Sequence, residues 1–285
     1  MQGIALMLIA IGLLSGMDAI AKILMQGGMP AVQILALRSL IIIPLLLTVF
    51  AVRGKLGSLR PTRPLWHLCR GLIGFVAPLS FFLGIQFVPL TDAVTVSFSA
   101  IFLITILSII FLGEQVGVHR WASILTGFIG VMVVIGPKGG GDLLGYALIL
   151  TGSLAYAILF ICGRYLSETE SVSSLVFSFN LTVGVMSLSL LPFFWQPQPL
   201  EQYGLLLCLA LFAVSGHHLM TLAVSLAEAS LIAPFEYTAV LWALAFDLLI
   251  WQIAPPMSTT IGATIVIGSG LYIVYRERIN ETQAA

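Results

Sequence analysis

Residues Thr91–Gln115 read TDAVTVSFSAIFLITILSIIFLGEQ. After Asp92 no charge appears until Glu114. A helix needs about 20 apolar residues to cross a bilayer core, and Asp92–Leu112 supplies them. Reading outward in both directions, apolar runs broken by charges or by Pro and Gly give ten segments of this kind. They are Gly3–Leu24, Ala31–Val52, Leu65–Phe87, Asp92–Leu112, Trp121–Ile135, Leu143–Tyr165, Ser174–Phe194, Tyr203–Ser225, Ala229–Trp251 and Thr259–Tyr275. The fold class expected is an all-α polytopic membrane protein, ten transmembrane helices arranged as two inverted five-helix repeats.

Composition agrees. Of 285 residues, 59% are hydrophobic and 8% charged, with a mean hydropathy of +1.10. A soluble domain carries roughly 25% charged residues. Twelve basic and twelve acidic side chains cannot cover a soluble surface of this size. A soluble enzyme, a nucleic-acid binder and a disordered chain are therefore excluded. The run opening at Gly3 has no basic leader and no A-x-A exit, so it reads as a first crossing and not a cleaved signal. Cys69, Cys162 and Cys208 are scattered in apolar runs and suggest neither a zinc site nor a disulfide framework.

The Lys and Arg distribution orients the chain. With the N-terminus inside, Arg53, Lys55, Arg60, Arg63, Arg70, Arg120, Arg164, Arg276 and Arg278 lie on the inner side, against Lys22 and Lys138 outside. Both termini are expected in the cytoplasm, with the protein in the cell's inner membrane. Pro89–Ile135 aligns with Ala227–Ile273 at an offset of 138, which places Asp92 on Ser230, Glu114 on Gln252 and Gly130 on Gly268. Five crossings per half is an odd number, so the second half inserts upside down. The expected units are residues 1–136 and 137–285, the latter with a short tail. Inverted repeats are typical of transporters, with the substrate near the midplane.

Several stretches resemble the EamA-type, ten-helix branch of the drug/metabolite transporter superfamily. They are Arg38 early in the second crossing, RPLWHLCRGLIGF at Arg63–Phe75, the Thr91–Gln115 run, HRWASILTGFIGVMVVIGP at His119–Pro137, and AEASLIAPFEY at Ala227–Tyr237. The Gly113-Glu114 pair is a frequent mark of that family. Its second-half counterpart, Trp251-Gln252, departs from the pattern. Within the branch, the H-x-x-RG and SFSAIF segments look most similar to bacterial S-adenosylmethionine uptake carriers. The resemblance implies a transporter.

Ionisable groups inside a crossing are costly and mark function by default. At 1.5 Å per residue, Asp18 lies about 22 Å from the inner start of crossing one. Lys22 follows one turn later. Arg38 and Asp247 share this depth band, so the four charges are expected to form an outward gate or clamp, or a salt bridge from Asp18 to Lys22 or Arg38. Glu236 lies deeper, after Pro234-Phe235 and before Tyr237, level with His217 and His218. It is expected to bind a proton or a cationic substrate, or to pair with a His. Phe98, Tyr156, Tyr237 and Trp242 are candidate cavity walls, and Asn180 a candidate hydrogen-bonding group. Glu114, His119 and Arg120 read as interface anchors. Glu168 and Glu170 read as solvated loop residues.

No metal cluster and no ordered Ser/His/Asp set points to catalysis, and Gly139–Gly141 lacks the GK[ST] of a nucleotide loop. No catalytic residue, metal or cofactor is expected. The function expected is secondary active transport of a small polar metabolite (an amino acid, an amine or an S-adenosylmethionine-like zwitterion or cation) by alternating access, with the two halves rocking. A multidrug or metabolite exporter or a vitamin carrier of the same fold is one alternative. A membrane enzyme or lipid scramblase is another. The expected partners are the substrate and the bilayer, with no nucleic acid and a possible homodimer.

Overall fold

A computed structural model describes residues 2–113, 117–136, 142–167, 169–226 and 233–284. Crossing one is the helix Gln2–Gln26 and crossing two Ala31–Val52. The turn between them needs Gly28, whose φ of 92° most side chains avoid. Crossing three is Pro64–Gly84, opened by a proline in its first turn, where the missing N–H costs nothing. Crossings five to eight are Val118–Ile135, Leu143–Ser167, Val172–Phe194 and Leu200–Leu226. Crossing ten is Met257–Ala284, so the C-terminal tail continues the helix. Seven described helical stretches are long and apolar enough to span a bilayer, and Trp121–Ile135 is a shorter apolar helix. The chain is an all-helical polytopic membrane protein.

Crossings four and nine are not single helices. Crossing four is Leu90–Ser97 followed by Ser99–Leu112, with the break at Phe98. There the Phe98 N–H bonds to Thr95 O, three residues back, while Thr95 and Ser97 hydroxyls bond back to Thr91 and Ala93 carbonyls. Such back-bonding bends helices. The described part of crossing nine is a tight 3-10 turn, Ala233–Tyr237, then the helix Thr238–Ile250. Residues 227–232, which carry the start of the AEASLIAPFEY stretch, lie outside the described residues, as do Glu114, Glu168 and residues 137–141.

The breaks fall at corresponding places. Phe98 answers to Tyr237, and the left-handed Gly113 (φ 69°) that ends crossing four answers to the left-handed Gln252 (φ 55°) beyond crossing nine. Both pairs are 139 residues apart, one more than the offset of 138 read from hydropathy. Spacing and apolarity alone cannot resolve one residue, whereas a helix break can.

The two halves do not fold as separate bodies. Crossing one runs along crossing eight, and crossing three along crossing six; crossing two faces seven, and five faces ten. This pairing is unchanged when each crossing is exchanged for the one five places away. Crossing nine packs on one, and crossing four on six. The result is two interleaved groups, crossings one, eight and nine against three, four and six, with four and nine meeting between them. Small residues allow the close approaches: Gly130 and Gly262 sit on each other's backbone between crossings five and ten, and a Cβ on either would meet the other's carbonyl at 3.0 or 2.6 Å.

Candidate functional site

The chain ends define one face of the bundle, here called the near face, opposite a far face. At the far face a carboxylate from one group of crossings caps a helix of the other. Leu90 and Thr91 open crossing four with unpaired N–H groups, and the residue before them, Pro89, has no side chain able to accept. Asp247, near the end of crossing nine and 1% exposed, accepts the Leu90 N–H at 3.0 Å, the Thr91 N–H at 2.6 Å and the Thr91 hydroxyl at 2.7 Å. Lys22 lies 4.0 Å from the same carboxylate, donates to Val88 O at 2.7 Å and sits 4.8 Å above the Trp251 ring. Asp92, fully buried one residue further on, accepts from the Tyr146 hydroxyl and from Thr259 Oγ1 at 2.6 Å. Lys22 therefore pairs with Asp247, and the helix-spaced Asp18–Lys22 bridge is not made.

Asp18 turns to Arg38. The two interact electrostatically between crossings one and two, without a direct hydrogen bond among the described contacts. Arg38 is 7% exposed; its Nη1 faces Met17 Sδ at 4.0 Å and its Nε has no hydrogen-bond partner. His217 lies within electrostatic reach of the same guanidinium. So His217 joins Asp18 and Arg38 electrostatically; it and His218, next on crossing eight, are both exposed.

Glu236 sits in the 3-10 turn, half-buried. Its electrostatic neighbours are Tyr237 and, from crossing six, Tyr156. Tyr156 is 49% exposed. The Tyr237 ring packs against Phe98 with centroids 4.8 Å apart, and its hydroxyl end lies against Gly270 of crossing ten. The two helix breaks thus touch through their aromatic residues. Trp242 and Phe246 stack at 6.3 Å on the next turns of crossing nine, over Gly12 and Gly16 of crossing one. Asn180 bonds back to Val176 O on its own helix and joins neither cluster.

The near face holds a residue that sequence reading misassigned. Glu170 is 7% exposed and accepts the Thr62 and Arg63 N–H groups at 2.9 and 2.7 Å, as well as the Thr62 hydroxyl. It caps crossing three, whose own N-cap, Arg63, has no capping side chain. Burial alone would raise this carboxyl, but the Thr62 and Arg63 hydrogen bonds and nearby His67 outweigh that and hold it at about 2. His67 bridges Glu170, at 3.4 Å, to Ser178. At the far face Gln33 ties down the connection before crossing eight, exchanging two hydrogen bonds with the Gln196 backbone at 2.9 and 3.0 Å. The signal for Glu170 was the uncapped chain entering crossing three.

The EamA-like transporter family matches residues 1–136 and 143–276 of this chain. The chain belongs to the EamA-like transporter family. Its similarity to characterised members spans several cargoes. It is 27% identical over 237 residues to an S-adenosylmethionine uptake transporter of Rickettsia bellii, covering 82% of this chain and 80% of that protein. It is 25% identical over 254 residues to a riboflavin transporter of Vibrio cholerae (88% and 85% covered). It is also 25% identical over 271 residues to a pseudopaline exporter of Pseudomonas aeruginosa (93% of each). A solved structure superposes with a TM-score of 0.66 over 98% of both chains at 20% identity, which establishes the shared fold.

Proposed function

We propose that this EamA-like chain is a secondary carrier of a small zwitterionic or cationic metabolite in the cytoplasmic membrane, with the near face cytoplasmic and residues 1–136 and 137–285 as inverted repeats. The observation that carries the reading is the contact of Phe98 with Tyr237, which brings two broken crossings together beside Glu236. Broken helices near the midplane are where transporters bind substrate, because their freed backbone groups and flexible joints serve the cargo. The packing supports a motion of crossings one, eight and nine against three, four and six, not of one sequence half against the other. Lys22, Asp247 and Thr91 join these two groups at the far face, so opening there requires their contacts to break.

Asp18 and Glu236 against Arg38 favour a cargo with both charges or a positive one. The S-adenosylmethionine uptake transporters among the relatives support the same class. A lipid scramblase or membrane enzyme would leave this arrangement of charges unexplained. Counterflow in liposomes tests the reading. Proteoliposomes preloaded with unlabelled S-adenosylmethionine or a cationic amino acid are expected to draw in labelled solute. Failure of every such solute, tried after a thermal-shift screen for stabilising metabolites, would defeat it.

A further inference from the structure

The charges in the site are of two kinds and lie at two heights. Crossing one supplies the ruler. Phe235 packs against the Met7–Ile11–Ala223 cluster, Trp242 lies over Gly12, Phe246 near Gly16, and Arg38 beside Met17. From the level of Glu236 to that of Asp18 and Arg38 is therefore about nine residues of helix, or roughly 13 Å. Between the two levels runs the Trp242–Phe246 stack.

The upper end has one carboxylate and one guanidinium, held near each other without a direct hydrogen bond, and Arg38 Nε is buried without a partner. A buried guanidinium nitrogen left unbonded is costly, and a planar fork suits a carboxylate. An α-amino acid head presents both complements, its carboxylate to Arg38 and its ammonium to Asp18. The lower end has Glu236, whose electrostatic neighbours are Tyr156 and Tyr237, with Phe98 packed on the Tyr237 ring. A carboxylate with two tyrosines for electrostatic neighbours suits a weakly hydrated cation, since aromatic ring faces also attract positive charge. Tyr156 and Glu236 come from opposite groups of crossings, so a cation held there touches both.

Resting on the carrier reading, we infer that the cargo is an elongated α-amino acid with a second, positive centre at the far end of its chain. Its head lies at Asp18 and Arg38, and its distal cation at Glu236. A compact amino acid reaches one end only, and a simple amine lacks the head.

The test uses α-amino acids that carry a terminal trimethylammonium group, from trimethyl-lysine to progressively longer homologues. Two controls accompany the longest: its methyl ester, and the neutral tert-butyl analogue. Thermal protection of the purified full chain reports binding, and counterflow in liposomes reports transport. Protection is expected to rise with chain length, and to fall at least roughly tenfold in affinity for the ester and for the neutral analogue. Arg38→Gln is expected to erase the difference between acid and ester. Glu236→Gln is expected to erase the difference between the cationic and neutral ends. Equal protection by short and long homologues, equal binding of acid and ester, or no protection by any homologue would overturn the inference. The comparisons among ligands on the unaltered protein stand even where a variant does not fold. Length-dependent, two-ended binding without counterflow would uphold the inference and defeat the carrier reading instead.

Discussion

The carboxylate of Asp247 accepts the Thr91 backbone N–H at 2.6 Å, so the end of crossing nine caps the start of crossing four. One side chain thus joins the two interleaved groups of crossings where they close at the far face, with Lys22 4.0 Å away as its counter-charge.

Breaking that contact from one side leaves Lys22 buried beside a neutral group. Removing one partner of a buried ion pair costs about 3–5 kcal/mol. Lys22 keeps its bond to Val88 O and its place over Trp251, so Asp247→Asn is expected near the lower limit. Adding Lys22→Met is expected to restore part of the loss. Thermal unfolding of the single and double variants in detergent checks this, and strictly additive losses would show that the two residues do not interact.

Gly270 gives a sharper test of the aromatic contact between the breaks. A Cβ there would lie 1.5 Å from the Tyr237 hydroxyl oxygen, so Gly270→Ala must displace Tyr237 from Phe98. Gly268, on the same helix, has open space around it. Transport per folded molecule is expected to fall about tenfold or more in Gly270→Ala and to persist in Gly268→Ala. Equal rates in the two variants would remove Tyr237 from the site.

Glu170 makes stability depend on acid. Its folded-state value of about 2 lies below the ordinary 4.5, so its contribution is complete above about pH 4.5 and is lost as pH falls toward 2. The unfolding temperature is expected to drop across that window, and by less in Glu170→Gln, which starts lower at neutral pH. A variant with the same acid profile as the unaltered protein would assign the transition to other groups.

Cysteine labelling checks the orientation. Positions within Arg53–Arg63 are expected to react only from the cytoplasm, and positions in residues 137–141 only from outside. The reverse pattern would invert the topology drawn from the Lys and Arg distribution.

The crossings were legible because each needs a long apolar run and the sequence provides them. Which charges meet was less so. Depth along a helix follows from residue counting, but direction around the axis depends on packing. Asp18 and Lys22, one turn apart, looked like a pair; Lys22 instead turns to Asp247 and Asp18 to Arg38. Glu236 and His217 look level by residue counting yet have different neighbours, Tyr156 on one side and Arg38 on the other. Asp92 read as the border of a crossing and Glu170 as a solvated loop residue. Both are buried acceptors, and Glu170 serves donors of a helix start that has no cap of its own. Counting unsatisfied N–H groups at Thr62 and Arg63 would have called for such an acceptor.

The central claim is that Glu236, beside the Phe98–Tyr237 contact, belongs to the transport pathway. Glu236→Gln keeps the shape and removes the charge. Solute counterflow in liposomes with matched amounts of folded protein measures its effect most directly. The account gives a rate per folded molecule lowered about tenfold or more, with weaker affinity for a cationic or zwitterionic solute. An unchanged rate accompanied by lower thermal stability would contradict it, and would make Glu236 a polar tie within the helix bundle.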